Sequence, residues 1–304
     1  MFIDIHTHAF RKPAVGLNPE FPNGHIATVE DLIEMFDKYG IEKGAVLPMV
    51  SGELYPTQAI EDILDMAEKY PDRIIPFCNL DPRFGSNTSE TDLGYVLQYY
   101  KDRGCKGIGE VMPALPFDHP KVQNLFRGAE KAGLPVTFEG ACQTDAGFGM
   151  YLSQGLPELE RTLMSYPELK IVGHGPVFWS EISVLKTPGE RAYFYTIDGR
   201  QVGRCPEGPI KEEGVIQTLF RRYPNLYGDL SDCTAYGALA RDEEYGPKFL
   251  TEFQDRLMFG TDYFFPGCPV SLPDLLNRWL SEGKISQTVY NKIARENAIR
   301  VYNL

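Results

Sequence analysis

"KAGLPVTFEG", residues 131–140, holds one structural unit in ten residues. Gly133 closes an amphipathic stretch, because glycine accepts the left-handed backbone on which helices end. A strand-forming run begins at once after Pro135. The same junction recurs as "KYGIEKGAVLP" (38–48), "KYPDRIIPFCNL" (69–80), "DRGCKGIGEV" (102–111), "SYPELKIVGHG" (165–175), "RYPNLYGDLS" (222–231) and "EFQDRLMFGTD" (252–262). With the opening "FIDIHTHAF" (2–10), the junctions predict eight strands, near 2–8, 44–49, 73–80, 106–111, 134–140, 169–174, 225–231 and 256–262.

Each gap has room for a helix. In "TVEDLIEMFDKYG" (28–40), Thr28 is the N-cap and Leu32, Ile33 and Phe36 form the apolar stripe. Strands alternating with helices pair in parallel through right-handed crossovers. Eight such units predict an α/β fold, a (β/α)8 TIM barrel forming a single domain over 1–304, with an open doubly wound sheet as the alternative. The gap between strands six and seven is longer than a helix needs. Residues 176–210 are therefore read as a lid-like insertion, with "IDGR" (197–200) as its hairpin turn. A hairpin packed outside, or a dimer arm, is the competing reading.

Composition limits the partners. The 304 residues carry a net charge of −12, which argues against nucleic acid and anionic membranes. No apolar run reaches the ~20 residues of a membrane helix. The N-terminus has no basic leader before its first strand, and six cysteines stand singly with no CxxC pair. A cytoplasmic protein with reduced cysteines is expected. The expected partner is a small-molecule substrate, a carboxylate among the candidates, and a homodimer would be the commonest assembly.

Active sites of such barrels lie at the C-terminal ends of the strands. Those ends carry His6 and His8, Glu110 in "GIGEV", Glu139 in "VTFEG", His174 in "IVGHG", Asp229, and Asp262 in "FGTDY". Unpaired burial of so many ionisable groups would be costly, so they need a shared counter-charge. Imidazoles with carboxylates suit one divalent cation, Zn2+ first, with Mn2+ or Fe2+ as alternatives. Arg83, after strand three, is a candidate clamp for a substrate carboxylate. His25 and His119 fall in loops on the same side, Asp229 is a candidate orienter of His174, and Phe178 and Trp179 are candidate pocket walls.

"DIHTHAF" (4–10), "IVGHG" (171–175), "FGTDY" (259–263) and the closing "NAIRVYNL" (297–304) together resemble the amidohydrolase superfamily. Within it they are similar to the amidohydrolase-2 branch, which includes aminocarboxymuconate-semialdehyde decarboxylase. The resemblance implies a (β/α)8 barrel with a mononuclear, occasionally binuclear, metal site. It implies His6 and His8 as ligands, Asp262 as ligand or general base, and His174 as ligand or proton donor.

The family usually places a ligand histidine on strand five, where this chain has Glu139. Glu139 is therefore expected as the fourth ligand, with Glu110 as the alternative. The expected activity is hydrolysis of a small amide, ester or lactone by a metal-bound hydroxide. Non-oxidative decarboxylation of a small unsaturated or aromatic acid is the alternative, and a catalytically inactive binding barrel the third reading.

Overall fold

All eight expected strands form, and they close on themselves. A computed structural model describes residues 1–15, 25–85, 88–142, 148–191, 206 and 208–304, together with the backbone of 193–197 and 200–204. The strands are β1 (Phe2–Thr7), β2 (Ile41–Val46), β3 (Ile74–Pro76), β4 (Ile108–Val111), β5 (Val136–Ala141), β6 (Ile171–His174), β7 (Leu226–Asp229) and β8 (Leu257–Met258). Ladders join β1-β2-β3 and β4-β5-β6-β7-β8, all in parallel.

Two seams complete the ring. Cys78 bridges Ile108, with Cys78 N–H donating to Gly107 O at 3.0 Å and Gly109 N–H to Cys78 O at 3.0 Å. Thr7 bridges Tyr263, backed by Ile5 N–H to Phe259 O (3.1 Å), Asp262 N–H to His6 O (2.8 Å) and His8 N–H to Tyr263 O (2.9 Å). An open sheet would leave β1 and β8 as unpaired edges, so the doubly wound alternative falls. Strand β8 is shorter than expected. Asp262 takes a left-handed φ of 53°, which breaks the regular ladder before it reaches the barrel mouth.

Local chemistry explains the elements. Helix Val29–Tyr39 starts on a capping box between Thr28 and Asp31 and ends at Gly40, φ 68°. Outside the ring, helices pack on the outward rows of the strands. Inside, Ile3, Ile5, Ala45, Leu47, Ile75, Phe77, Val172, Tyr227 and Met258 fill the barrel with Val301 and Tyr302 of the last helix. Lys106 Nζ donates to Asn303 O (3.1 Å) and Lys170 Nζ to Val301 O (2.9 Å). Both lysines precede strands, so the C-terminal helix plugs the N-terminal end of the barrel and leaves the other end as the mouth. Tyr302→Ala should therefore lower unfolding free energy by about 3–5 kcal/mol in urea. An effect below ~1 kcal/mol would contradict the plug.

The insertion contains a hairpin. Tyr193–Ile197 pairs antiparallel with Arg200–Arg204; its tip, Asp198 and Gly199, and Cys205 lie outside the described residues. The backbone of the second strand runs beside helices Gly175–Ser180 and Asp232–Ala240. Its root is anchored by Arg191, which is 2% exposed and donates to Leu152 O (2.6 Å) and Pro188 O (3.3 Å). No cysteine among the described residues forms a disulfide. Among the described residues, no helix is long and apolar enough to cross a membrane.

Candidate metal centre

The interior rows of the strands deliver the polar residues. Strand alternation places His174 above Val172 and Asp229 above Tyr227 on the inward face. Strand β1 breaks register between Asp4 and Thr7, and His6 and His8 turn into the same mouth. Their Nε2 atoms stand 3.2 Å apart. His6 Nδ1 donates to Asp229 Oδ2 at 2.6 Å and His8 Nδ1 to Leu47 O at 3.0 Å. Both acceptors can only accept, so each Nδ1 carries a proton and the two Nε2 atoms face each other. Two imidazole nitrogens that close suit a shared cation, which takes the place of any Nε2 proton.

The carboxylates converge there. Glu110 Oε2 is 3.5 Å from His6 Nε2 and 3.7 Å from His8 Nε2, and Glu110 Oε1 is 3.5 Å from His174 Nε2. Asp262 Oδ1 lies 3.3 Å from His8 Nε2 and 3.6 Å from His6 Nε2, and Asp262 Oδ2 lies 3.9 Å from His174 Nε2. His6, His8 and Asp262 form one group of mutually close ligand atoms, and His6, Glu110 and His174 another. The donor set fits a divalent cation of the zinc or manganese kind. Of the three imidazoles, Glu139 approaches His174, at 3.5 Å. Glu110, the alternative to Glu139 in the sequence reading, stands among all three.

Electrostatics separates the two glutamates. Burial works against ionising Glu110, but His174 and His6 hold its carboxyl below the usual range. Burial pushes Glu139 well above that range, only partly relieved by His174 and worsened by Glu110. Burial and the facing His6 oppose protonation of His174, yet Glu110 and Asp229 push its pKa up to about 10. His6 is likewise raised despite burial, by Asp229 and Asp262.

Outer partners fix the ligands in place. Asp229 serves His6 at 2.6 Å before His174, whose Nδ1 is 3.3 Å from the same oxygen; the sequence had paired it with His174. Trp179 Nε1–H donates to Asp229 O at 2.8 Å, so Trp179 is a buried support, and Phe178 is equally buried. Asn79 Nδ2–H donates to Glu110 O at 2.6 Å. Asp4 accepts from His6 N–H (3.0 Å), Thr261 N–H (3.1 Å) and Thr261 Oγ1–H (2.6 Å), tying β1 to the turn after β8. Asp232 adds a carboxylate beside Asp262, with its pKa raised by burial and by Asp262. Asp4, Asn79, Ser231 and Asp232 escaped the sequence reading, because partners up to 257 residues apart leave no periodic signal.

Gly175 is needed where Glu139 packs. Its φ is 79°, and an added Cβ would lie 1.9 Å from Glu139 Oε2. Gly175→Ala should cost more than about 2 kcal/mol, from left-handed strain and overpacking. Unchanged urea stability would contradict that packing.

Three candidates stand elsewhere. Arg83 donates from Nε and Nη2 to Asp81 (2.9 and 2.6 Å), from Nη2 to Glu53 (2.7 Å) and from Nη1 to Glu53, holding the Glu53 carboxyl down at about 2. A guanidinium shared by two carboxylates staples two loops and is not a free clamp. His119 caps helix Pro120–Ala132 through Nδ1, which accepts from Lys121 N–H; Pro120 at the first helical position was the available clue. His25 lies 3.4 Å from Asp31.

The barrel is closed, and its imidazoles and carboxylates converge at the end where such barrels carry their sites. Residues 213–304, which hold Asp229, Asp262 and "NAIRVYNL", match the family model described as Amidohydrolase, in line with the resemblance read from the sequence. No curated protein matches the chain. Among solved structures, an uncharacterized TIM-barrel protein from Bordetella bronchiseptica is 19% identical, with 99% of this chain and 97% of that one covered and a TM-score of 0.61. A probable 2-pyrone-4,6-dicarboxylic acid hydrolase from Acinetobacter baumannii, with citric acid bound, is 14% identical over 100% and 99%, TM-score 0.61. A dihydroxybenzoic acid decarboxylase from Polaromonas sp. JS666, with manganese and 2-nitroresorcinol bound, is 16% identical over 100% and 97%, TM-score 0.58. At these identities the likeness is one of fold.

Proposed function

We propose that this chain is a metal-dependent hydrolase of a small amide, ester or lactone, holding one divalent cation on His6, His8, Glu110 and Asp262. The convergence of three imidazole Nε2 atoms with two carboxylates within 3.2–3.9 Å carries the reading. Glu110 replaces Glu139 in the ligand set because it approaches His6 and His8 as well as His174.

When bound, the cation supplies Lewis acidity to a scissile carbonyl and lowers the pKa of water towards neutrality. Asp262 keeps 26% of its side chain exposed, against 6% for Glu110. It is the carboxylate that reaches an entering water and takes its proton. His174 Nε2, 3.9 Å from Asp262 Oδ2, is placed to hand a proton to the leaving group. Residues 176–210 are read as a lid-like insertion within a single domain spanning 1–304, supported by the backbone of Arg200–Arg204 running beside the helices that follow β6 and β7.

Hydrolysis is preferred over decarboxylation because two arginines that could have held a substrate carboxylate are engaged elsewhere, Arg83 by Glu53 and Asp81, and Arg191 by backbone carbonyls. Neither is left to hold a substrate carboxylate. The likeness to a dihydroxybenzoic acid decarboxylase supports a second reading with the same residues. Zn2+- or Mn2+-loaded protein offered lactones and aromatic acids separates them. Acid release from lactones supports hydrolysis, and CO2 release from aromatic acids supports the lyase.

Loading has a pH signature. His6 holds its proton above the usual imidazole range, and a ligand nitrogen must be deprotonated. Apparent Zn2+ affinity should rise with pH through the neutral range, with protons released on binding. Calorimetry in buffers of different ionisation enthalpy counts them. Zero release would remove His6 from the ligand set.

A further inference from the structure

Two imidazoles compete for one oxygen of Asp229. Oδ2 lies 2.6 Å from His6 Nδ1 and 3.3 Å from His174 Nδ1. The carboxylate has no room to move between them. Its Oδ1 accepts from Ser231 N–H at 2.9 Å, and its backbone carbonyl is held by Trp179. On the other side an added Cβ at Gly260 would come within 2.7 Å of Oδ1. Two N–H donors on one fixed oxygen each make a weaker bond than either alone.

Ser231 relieves the competition. It is fully buried, with Oγ 3.0 Å from His174 Nδ1 and 3.4 Å from His6 Nδ1. For His174 it is a nearer partner than Asp229. A hydroxyl satisfies an imidazole nitrogen as donor or acceptor, whereas a carboxylate only accepts. We propose that Ser231 is a positioning residue: it takes Nδ1 of His174 and so reserves Asp229 for His6, whose Nε2 then faces the cation. The inference rests on the metal-site reading proposed above.

Without the hydroxyl, Asp229 Oδ2 is the acceptor left within reach of His174 Nδ1. The His174 ring turns to it, and His6 loses part of the bond that orients it. Outer partners of ligand histidines contribute about 10–100-fold to metal affinity.

The test is Zn2+ affinity, read by competition with a chromophoric chelator, for wild type, Ser231→Ala, Ser231→Thr, His174→Ala and the Ser231→Ala/His174→Ala double variant. Ser231→Ala should weaken binding about tenfold, and Ser231→Thr, which restores the hydroxyl, should recover most of that loss. In the His174→Ala background the competitor is gone, so Ser231→Ala should cost nothing more. An equal loss in both backgrounds would mark Ser231 as merely structural and overturn the proposal, as would a Thr variant as damaged as Ala. The His6 Nδ1 proton, followed by NMR in zinc-free protein, gives a separate reading. It should move upfield in Ser231→Ala and return in the double variant, and an unmoved resonance overturns the role of Ser231. Failure of every variant to bind Zn2+ would instead sink the metal-site reading.

Discussion

Glu110→Gln should cost the protein its cation and its activity, while Glu139→Gln keeps the cation bound. The expected loss of Zn2+ affinity in Glu110→Gln is more than about a hundredfold, above what outer partners of a metal site contribute. Glu110 presents one oxygen to His6 and His8 and the other to His174, at 3.5–3.7 Å. Its neighbours favour the ionised form that a ligand needs, whereas burial favours the proton on Glu139. A protonated carboxyl is a poor ligand and a ready donor to a substrate. Chelator competition on the two variants decides between them. The reverse outcome, with Glu139→Gln losing the metal and Glu110→Gln keeping it, would return the ligand role to Glu139.

Asp4→Ala should destabilise the barrel by on the order of 3–5 kcal/mol, since each orphaned buried donor costs about 1–3 kcal/mol. Three donors, on His6 and Thr261, depend on that one carboxylate, and the two on Thr261 cross the seam where the barrel closes. The folded fraction should also bind Zn2+ more weakly, because the turn that carries Asp262 loses its anchor. Burial raises Asp4 to about 7 despite those bonds, so its charge is itself costly. Asp4→Asn, which keeps an acceptor without the charge, should lose less than Asp4→Ala. Urea unfolding of both variants checks this, and equal losses would contradict a role carried by the accepted hydrogen bonds.

The fold was legible because helix-ending Gly or Pro followed by strand formers is a local signal, and it marks six of the seven junctions. Closure was not, since it depends on Cys78 meeting Ile108 and Thr7 meeting Tyr263, contacts with no pattern in the chain. At the mouth, His6, His8, His174 and Asp262 are brought together because the C-terminal ends of parallel barrel strands all open on one face. Glu110 and Glu139 were ranked by strand number alone. A register shift in β4 between Ile108 and Val111 accompanies the turn of Glu110 into the cluster, and spacing does not reveal it. Arg83 was read without its partners: Glu53 lies 30 residues away, and its capture removes the clamp. Asp229 lay near the predicted metal, but only coordinates show that it grips His6 first.

Elemental analysis of wild-type protein, purified without chelator or metal-affinity resin, tests the central claim most directly. About one Zn2+ or Mn2+ per chain is expected, as for a catalytic site with protein ligands and an open position. Protein that holds no divalent cation, even after reconstitution with Zn2+ and Mn2+, would contradict it.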